Sequence, residues 1–399
     1  MNKKIGLFLD YNPSDGGTFQ YNQIMIDAVA ALPADRFSVV FGYTSDIWLK
    51  YLAPYDLKSV FITSGFWGRA LSLGWARIGM PIGPWRKLCP LFHPIAKALL
   101  HEDCNLWIFP SPTAKSFQIP VPSLVSIHDL MHRYERRFPE SASGREYINR
   151  ERIYANICRW ANGVLVDSEI GRQQVHEGYD MQFDRIHVLP YIAPKYIHTS
   201  KPPPDFDSRY RLPTKFIFYP SQFWEHKNHK GLIEAVCILK KDIPDLKLVL
   251  AGSPKNAYGQ LVKLVHNNTL ADDVMFLGYV PDEDMPELYR RARALIMPTF
   301  YGPTNIPPLE AFVAGCPVAV SGIYGMPEQV GDAALLFDPE SSEEIAECIR
   351  KVWIDDALCA GLIERGKKRA EAWGRVQFDE RLRTIIESIL GNPGSTVDR

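Results

Sequence analysis

Residues 294–338 read ALIMPTFYGPTNIPPLEAFVAGCPVAVSGIYGMPEQVGDAALLFD, and their order of strand, loop and helix decides the fold class. Ala294-Leu295-Ile296-Met297 is a wholly apolar run closed by Pro298, the pattern of a short strand buried on both faces. Gly302, Pro303 and Asn305 then mark a turn. Pro307 and Pro308 suit the first turn of a helix, Leu309, Phe312 and Val313 share one face of it, and Gly315 stands where it would stop. A strand that feeds a tight loop and a helix N-terminus leaves backbone N–H groups at Thr304, Asn305 and Ile306 directed at a place where an anion is welcome. Glu310, on the first helical turn, would reach a ligand held there. An acidic residue at that position is also favoured by the helix dipole alone, so local physics leaves a ligand role and a purely structural role open.

The same alternation extends in both directions. Short β-like runs at 5–9, 37–43, 106–109, 123–127, 164–166 and 186–189 alternate with helical patterns, and a second series follows at 215–219, 246–251, 274–277, 295–297, 318–320 and 335–337. Such alternation predicts an α/β protein with two parallel, Rossmann-like sheets. The polar, proline-rich Lys201-Pro202-Pro203-Pro204 separates them, giving domains at 1–200 and 205–372. Residues 373–399 read as a terminal helix and its tail. Ligands of parallel sheets sit beyond the carboxyl ends of the strands. In the first half that rule singles out the loops with Gly16 and Gly17, with His128 and Asp129, and with Ser168.

Wording then adds to patterning. Ile306-Pro307-Pro308-Leu309-Glu310-Ala311, Gly315-Cys316-Pro317-Val318, Gly325-Met326-Pro327-Glu328 and Leu335-Leu336-Phe337-Asp338-Pro339 together resemble the donor-site signature of the retaining glycosyltransferases of family four. That resemblance implies the GT-B fold, in which two Rossmann-like domains face a cleft. It also implies a terminal helix that crosses back to the first domain. In that family the second glutamate of a paired motif binds the ribose of a sugar nucleotide, and it maps to Glu310. The first glutamate maps to Gly302, a departure that removes a carboxylate from beside the transferred sugar. The family's basic loop, whose arginine and lysine hold the diphosphate, maps to Ser221 to Asn228: Lys227 matches the lysine, but Gln222 stands in place of the arginine. Gln222 can donate hydrogen bonds but carries no charge. By the same resemblance Gly16 and Gly17 form the glycine loop between donor and acceptor, His128 approaches the transferred sugar, and the backbone around Tyr279 and Val280 reads the base. Asp129 is open to orienting the imidazole or capping a helix.

Composition narrows the classes. With 399 residues, 46% of them hydrophobic, and a net charge of −1, the chain is long enough for two cores and lacks the positive charge of a bulk nucleic-acid binder. The seven cysteines form no C-x-x-C pair and lie in apolar stretches, which predicts reduced thiols in a cytoplasmic protein. No Walker loop, H-E-x-x-H motif, membrane-spanning run or cleavable leader is evident, so neither a metal nor another cofactor is expected.

Residues 57–101 stand apart, without one acidic side chain but with Lys58, Arg69, Arg77, Arg86, Lys87 and Lys97 interleaved with Phe61, Phe66, Trp67, Trp75, Trp85 and Phe92. This stretch reads either as an insertion folded over the first domain with its aromatics inside, or as a surface that rests on an anionic membrane. The expected function is transfer of a sugar, commonly mannose in the family, from a nucleotide donor to a saccharide or lipid-linked acceptor in surface polysaccharide or glycan synthesis. His128, Lys227 and Glu310 are the expected catalytic residues. Gly16, Gly17, Gln222, Lys227, Tyr279, Val280, Thr304, Asn305, Ile306 and Glu310 are expected to hold the donor. A catalytically silent sugar-nucleotide-binding subunit and a GT-B epimerase are the alternatives.

Overall fold

Short apolar runs become strands with little solvent-facing surface. The computed structural model describes residues 2–10, 16–63, 81–198 and 202–391. β1 (Lys3–Leu9), β2 (Phe37–Tyr43), β3 (Lys58–Phe61), β4 (Leu106–Phe109), β5 (Ser123–Ser126), β6 (Gly163–Val166) and β7 (Ile186–Val188) form one sheet in the order β3-β2-β1-β4-β5-β6-β7. β8 (Ile217–Pro220), β9 (Leu248–Ala251), β10 (Val274–Phe276), β11 (Ala294–Met297), β12 (Val318–Ser321) and β13 (Ala334–Phe337) form a second, in the order β10-β9-β8-β11-β12-β13. Every pairing in both sheets is parallel. Every residue of β4, β5, β6, β9, β11 and β12 is buried, which is what helices on both faces of a parallel sheet require. On the first sheet the bulk of Trp107 is accommodated by Gly6, where a Cβ would lie 2.3 Å from the indole.

The chain divides into two units whose boundaries cross the sequence order. One comprises Met1–Leu130, Tyr147–Pro190 and Arg375–Arg399, and the other Met131–Glu146 and Tyr191–Gly374. The helix Arg375–Gly391 packs in the first unit through buried Phe378, Leu382, Ile385 and Ile386, and Arg375 pairs with Asp27 at 3.3 Å. The segment Met131–Glu146, which the proline-rich linker had assigned to the first domain, packs with the second unit.

Residues 57–101 are not a single insertion. Lys58–Phe61 is the edge strand β3, and the helices Ile82–Phe92 and Pro94–His101 send Trp85, Cys89, Ile95, Ala96 and Leu99 into the first core. Trp85 is therefore an interior residue. Two of the cations also serve the fold: Lys58 pairs with buried Glu102 at 2.6 Å, and Arg86 donates to the carbonyls of Phe117 and Ile119. Phe66, Trp67, Arg69, Trp75 and Arg77 lie outside the described residues. Among the described residues no helix is long and apolar enough to cross a membrane.

Candidate functional site

In the second sheet the strand order reverses between β8 and β11, so the loops that leave these two strands flank the crevice where a parallel sheet takes its ligand. The β8 loop carries Gln222 and Lys227. Gln222 accepts the Trp224 indole N–H at 2.9 Å, so its side-chain oxygen already has a partner. Glu225, His226 and Lys227 form one tight turn, ended by Asn228 in the left-handed region. The Asn228 side chain caps the helix His229–Leu239 through Gly231 N–H at 3.1 Å and donates to the Pro339 carbonyl at 2.8 Å. From this turn the Lys227 ammonium reaches the Asn305 side-chain oxygen at 3.4 Å, joining the two loops.

The β11 loop is built on short internal contacts. Thr299 Oγ1 accepts the Tyr301 N–H at 3.1 Å and approaches the His226 carbonyl at 3.3 Å. Gly302 has φ +95°, and a Cβ there would stand 2.7 Å from the Thr304 carbonyl oxygen and 2.8 Å from Asn305 Nδ2. The residue missing from the paired-glutamate motif thus sits in a backbone where any side chain is strained and crowded. The expectation of N–H groups open to an anion is corrected at Asn305. Its N–H donates to Gln329 Oε1 at 3.0 Å, while Gln329 Nε2 donates back to the Asn305 carbonyl at 2.7 Å. Thr304 is buried, and Ile306 is the residue before the helix Pro307–Ala314.

Glu310 is 3% exposed. One of its oxygens accepts the Tyr196 hydroxyl and the other the Tyr289 hydroxyl, the latter at 2.6 Å. Burial pushes its carboxyl upward in pKa, while the two phenols favour the charged form. Both phenols stay protonated, driven far up by burial and by the carboxylate they face. A carboxylate has about four lone-pair positions, so two remain beyond the tyrosines. In the β10 loop Tyr279 is 66% exposed and Val280 is buried.

Sequence reasoning missed Tyr196, Tyr289 and Gln329, and it missed a buried carboxylate–imidazole hydrogen bond beneath the Lys227 turn. Glu140, from the segment Met131–Glu146, accepts the His226 backbone N–H at 3.0 Å and its imidazole Nδ1 at 2.6 Å through one oxygen. The other oxygen takes Asn256 Nδ2 at 3.0 Å. Burial opposes the Glu140 charge, but the His226 ring and backbone hold its carboxyl down at about 2. The His226 ring also stacks on Tyr301 at 4.0 Å, and Phe138 stacks on Phe300 at 5.4 Å. No local pattern marks a pair 86 residues apart.

The first unit holds the remaining candidates at the ends of its own strands. Gly16, with φ 60°, is the N-cap of the helix Gly17–Ala30, and Gly17 is that helix's first residue. His128, just beyond β5, meets Tyr21 edge to face at 5.0 Å. Burial lowers its pKa, against Asp129 and the Pro110 carbonyl. Asp129 faces Arg150 at 3.4 Å, and Ser168 caps the helix Glu169–Tyr179 through Gly171 N–H at 3.1 Å. Among the described residues no three His, Cys, Asp or Glu side chains are grouped to hold a metal ion.

Known proteins resemble both the sequence and the fold. Residues 205–369 match the family described as glycosyl transferases group 1. O-antigen chain mannosyltransferase B of Escherichia coli is 30% identical over 213 residues, 52% of this chain and 56% of that protein, so the match spans a little over half of the relative's length. The crystal structure of Anabaena HepE in complex with UDP superposes with a TM-score of 0.72 at 18% identity, covering 97% of this chain and all of that one. Sucrose-phosphate synthase from Thermosynechococcus elongatus gives a TM-score of 0.72 at 17% identity, over 98% of this chain and 100% of the other. The two parallel-sheet units and these likenesses give the fold as GT-B.

Proposed function

We propose that the chain is a retaining glycosyltransferase that moves a sugar from a nucleotide donor to a hydroxyl of a saccharide or lipid-linked saccharide. The observation that carries this reading is the meeting of Lys227 and Asn305 at 3.4 Å across the switch point of the second sheet, within the matched stretch. Lys227 supplies fixed positive charge for a diphosphate, and Glu310 keeps two lone-pair positions for ribose hydroxyls. As the sugar C1–O bond to the diphosphate breaks and a bond to the acceptor oxygen forms, negative charge grows on the departing phosphate, which takes up the proton the acceptor hydroxyl gives up. A preset cation and a helix N-terminus stabilise that charge as a metal would, so no divalent ion is required. His128, kept neutral by burial, is the proposed contact to the transferred sugar.

Mannose is the proposed sugar, in line with the E. coli relative's activity on an O-antigen chain, and the UDP bound by the Anabaena neighbour supports a nucleotide-linked donor. A membrane-borne acceptor is favoured by the outer face of the helix Ile82–Phe92, where Leu88, Leu91 and Phe92 are exposed beside Lys87. A silent binding subunit is the second reading, favoured by the side-chain-free backbone at Gly302 and the occupied oxygen of Gln222. Incubation with UDP- and GDP-sugars and candidate acceptors separates the cases. Transfer with unchanged anomeric configuration supports the proposal, whereas an epimerised donor or binding with neither outcome overturns it.

A further inference from the structure

The turn that carries Lys227 is held from below by a piece of chain from the first half of the sequence. Glu140 is 8% exposed and His226 11% exposed in their side chains, and their contact is doubled, since ring and backbone of His226 both donate to one carboxylate oxygen. The second oxygen reaches the same turn by another route, because Asn256 donates to Glu140 and accepts the Glu225 N–H at 3.1 Å. From the opposite side, the His226 carbonyl accepts the Phe300 N–H at 2.8 Å, and Tyr301 stacks on the imidazole. Lys227 is the next residue, and its carbonyl takes the Tyr219 hydroxyl at 3.1 Å.

We propose that Glu140 is a positioning residue for donor binding, fixing the direction of Lys227 through His226 and Asn256. This rests on the reading of Lys227 as the residue that takes the donor diphosphate. A charged group buried only to stabilise the fold would be replaceable by apolar packing at little cost. One that accepts three hydrogen bonds around a single turn also restricts that turn to one arrangement. Glu140 and Lys227 should therefore be coupled in binding, not only in stability.

A double-mutant cycle on the full chain tests this, with UDP and GDP as probes and isothermal titration as the readout. Lys227→Ala should weaken the tighter of the two nucleotides about tenfold, and Glu140→Ala should do nearly the same. In the Lys227→Ala background, Glu140→Ala should add less than about twofold, because the side chain it positions is gone. Glu140→Gln keeps an acceptor oxygen for the His226 N–H but sets an amide NH2 against Asn256 Nδ2, so it should lose part of the affinity in the parental background. Carrying it through the same cycle keeps the question answerable if the alanine variant fails to fold. Equal losses in both backgrounds, or no loss in either for the glutamine variant, overturn the positioning role. No effect of Lys227→Ala alone, or no binding of either nucleotide by the parent, overturns the donor-site reading beneath it.

Discussion

Replacing Glu310 separates its hydrogen bonds to two tyrosines from the ribose contact proposed for it. Truncation to alanine removes the acceptor of both the Tyr196 and Tyr289 hydroxyls in a site that is 3% exposed. Each buried hydroxyl left unsatisfied costs about 1–3 kcal/mol, so the pair costs roughly 2–6 kcal/mol before any cavity is counted. For a unit of this size that lowers the melting temperature by roughly 2–4 °C per kcal/mol. Glutamine behaves differently. Its carbonyl accepts one phenol, its amide donates to the other, and the cost of burying a charge disappears, so stability should stay within about 1 kcal/mol of the parent. If the carboxylate also accepts ribose hydroxyls, Glu310→Gln loses only the charge-assisted part of those bonds, worth about 1.4 kcal/mol or a tenfold weaker donor. Thermal unfolding followed by circular dichroism and calorimetric titration with the turned-over sugar nucleotide read the two effects. An alanine variant that melts with the parent would refute the hydroxyl network, and a folded glutamine variant with parental donor affinity would refute the ribose contact.

Other outcomes follow from the same geometry. Transfer should persist in excess EDTA, and a loss that magnesium or manganese restores would contradict the role given to Lys227 and the helix terminus. Gly302→Glu should not raise activity: φ +95° and the nearby Thr304 carbonyl make a side chain cost about 1–3 kcal/mol of stability, readable as a lower midpoint in urea. Because the fold lowers the His128 pKa, the imidazole stays neutral below its ordinary value of about 6.5. A transfer rate that depends on the neutral ring should then still exceed half its plateau at pH 6.5, and a half-maximal rate at 6.5 that His128→Gln abolishes would contradict this. Pelleting with anionic liposomes at low salt should be reduced by Leu91→Ser with Phe92→Ser and weakened by added salt, whereas neutral liposomes should not pellet the protein. Sedimentation assays check it, and equal pelleting of parent and variant points away from this helix face.

The extent to which the molecule was legible follows the range of each interaction. Strands such as β11 are read directly because four consecutive apolar residues admit few other fates. β3 escapes that test: Lys58, Ser59 and Phe61 are exposed, only Val60 is half-buried, and an edge strand needs no apolar run. The loops with Lys227 and Asn305 were found because each follows a strand that could be placed. Tyr196 lies 114 residues before Glu310, and the pairing depends on how the intervening chain of the second unit comes to rest. The same holds for Glu140, which the linker at 201–204 had appeared to place with the other sheet.

That interleaving has a consequence on the ribosome. Glu140 and Phe138 emerge from the exit tunnel well before His226 and Phe300 exist, so the nascent chain carries an apolar and acidic ribbon with no surface to lie on. The first sheet is complete by Val188, yet its unit waits for Phe378, Leu382, Ile385 and Ile386, which are made after the whole of the second sheet. The first unit therefore closes only after the second has been made, in contrast to chains whose domains fold in the order they are made. A truncated gene product that ends near residue 200 would therefore lack the last helix of the first unit and expose Phe138, making it a ready target for chaperones and proteases.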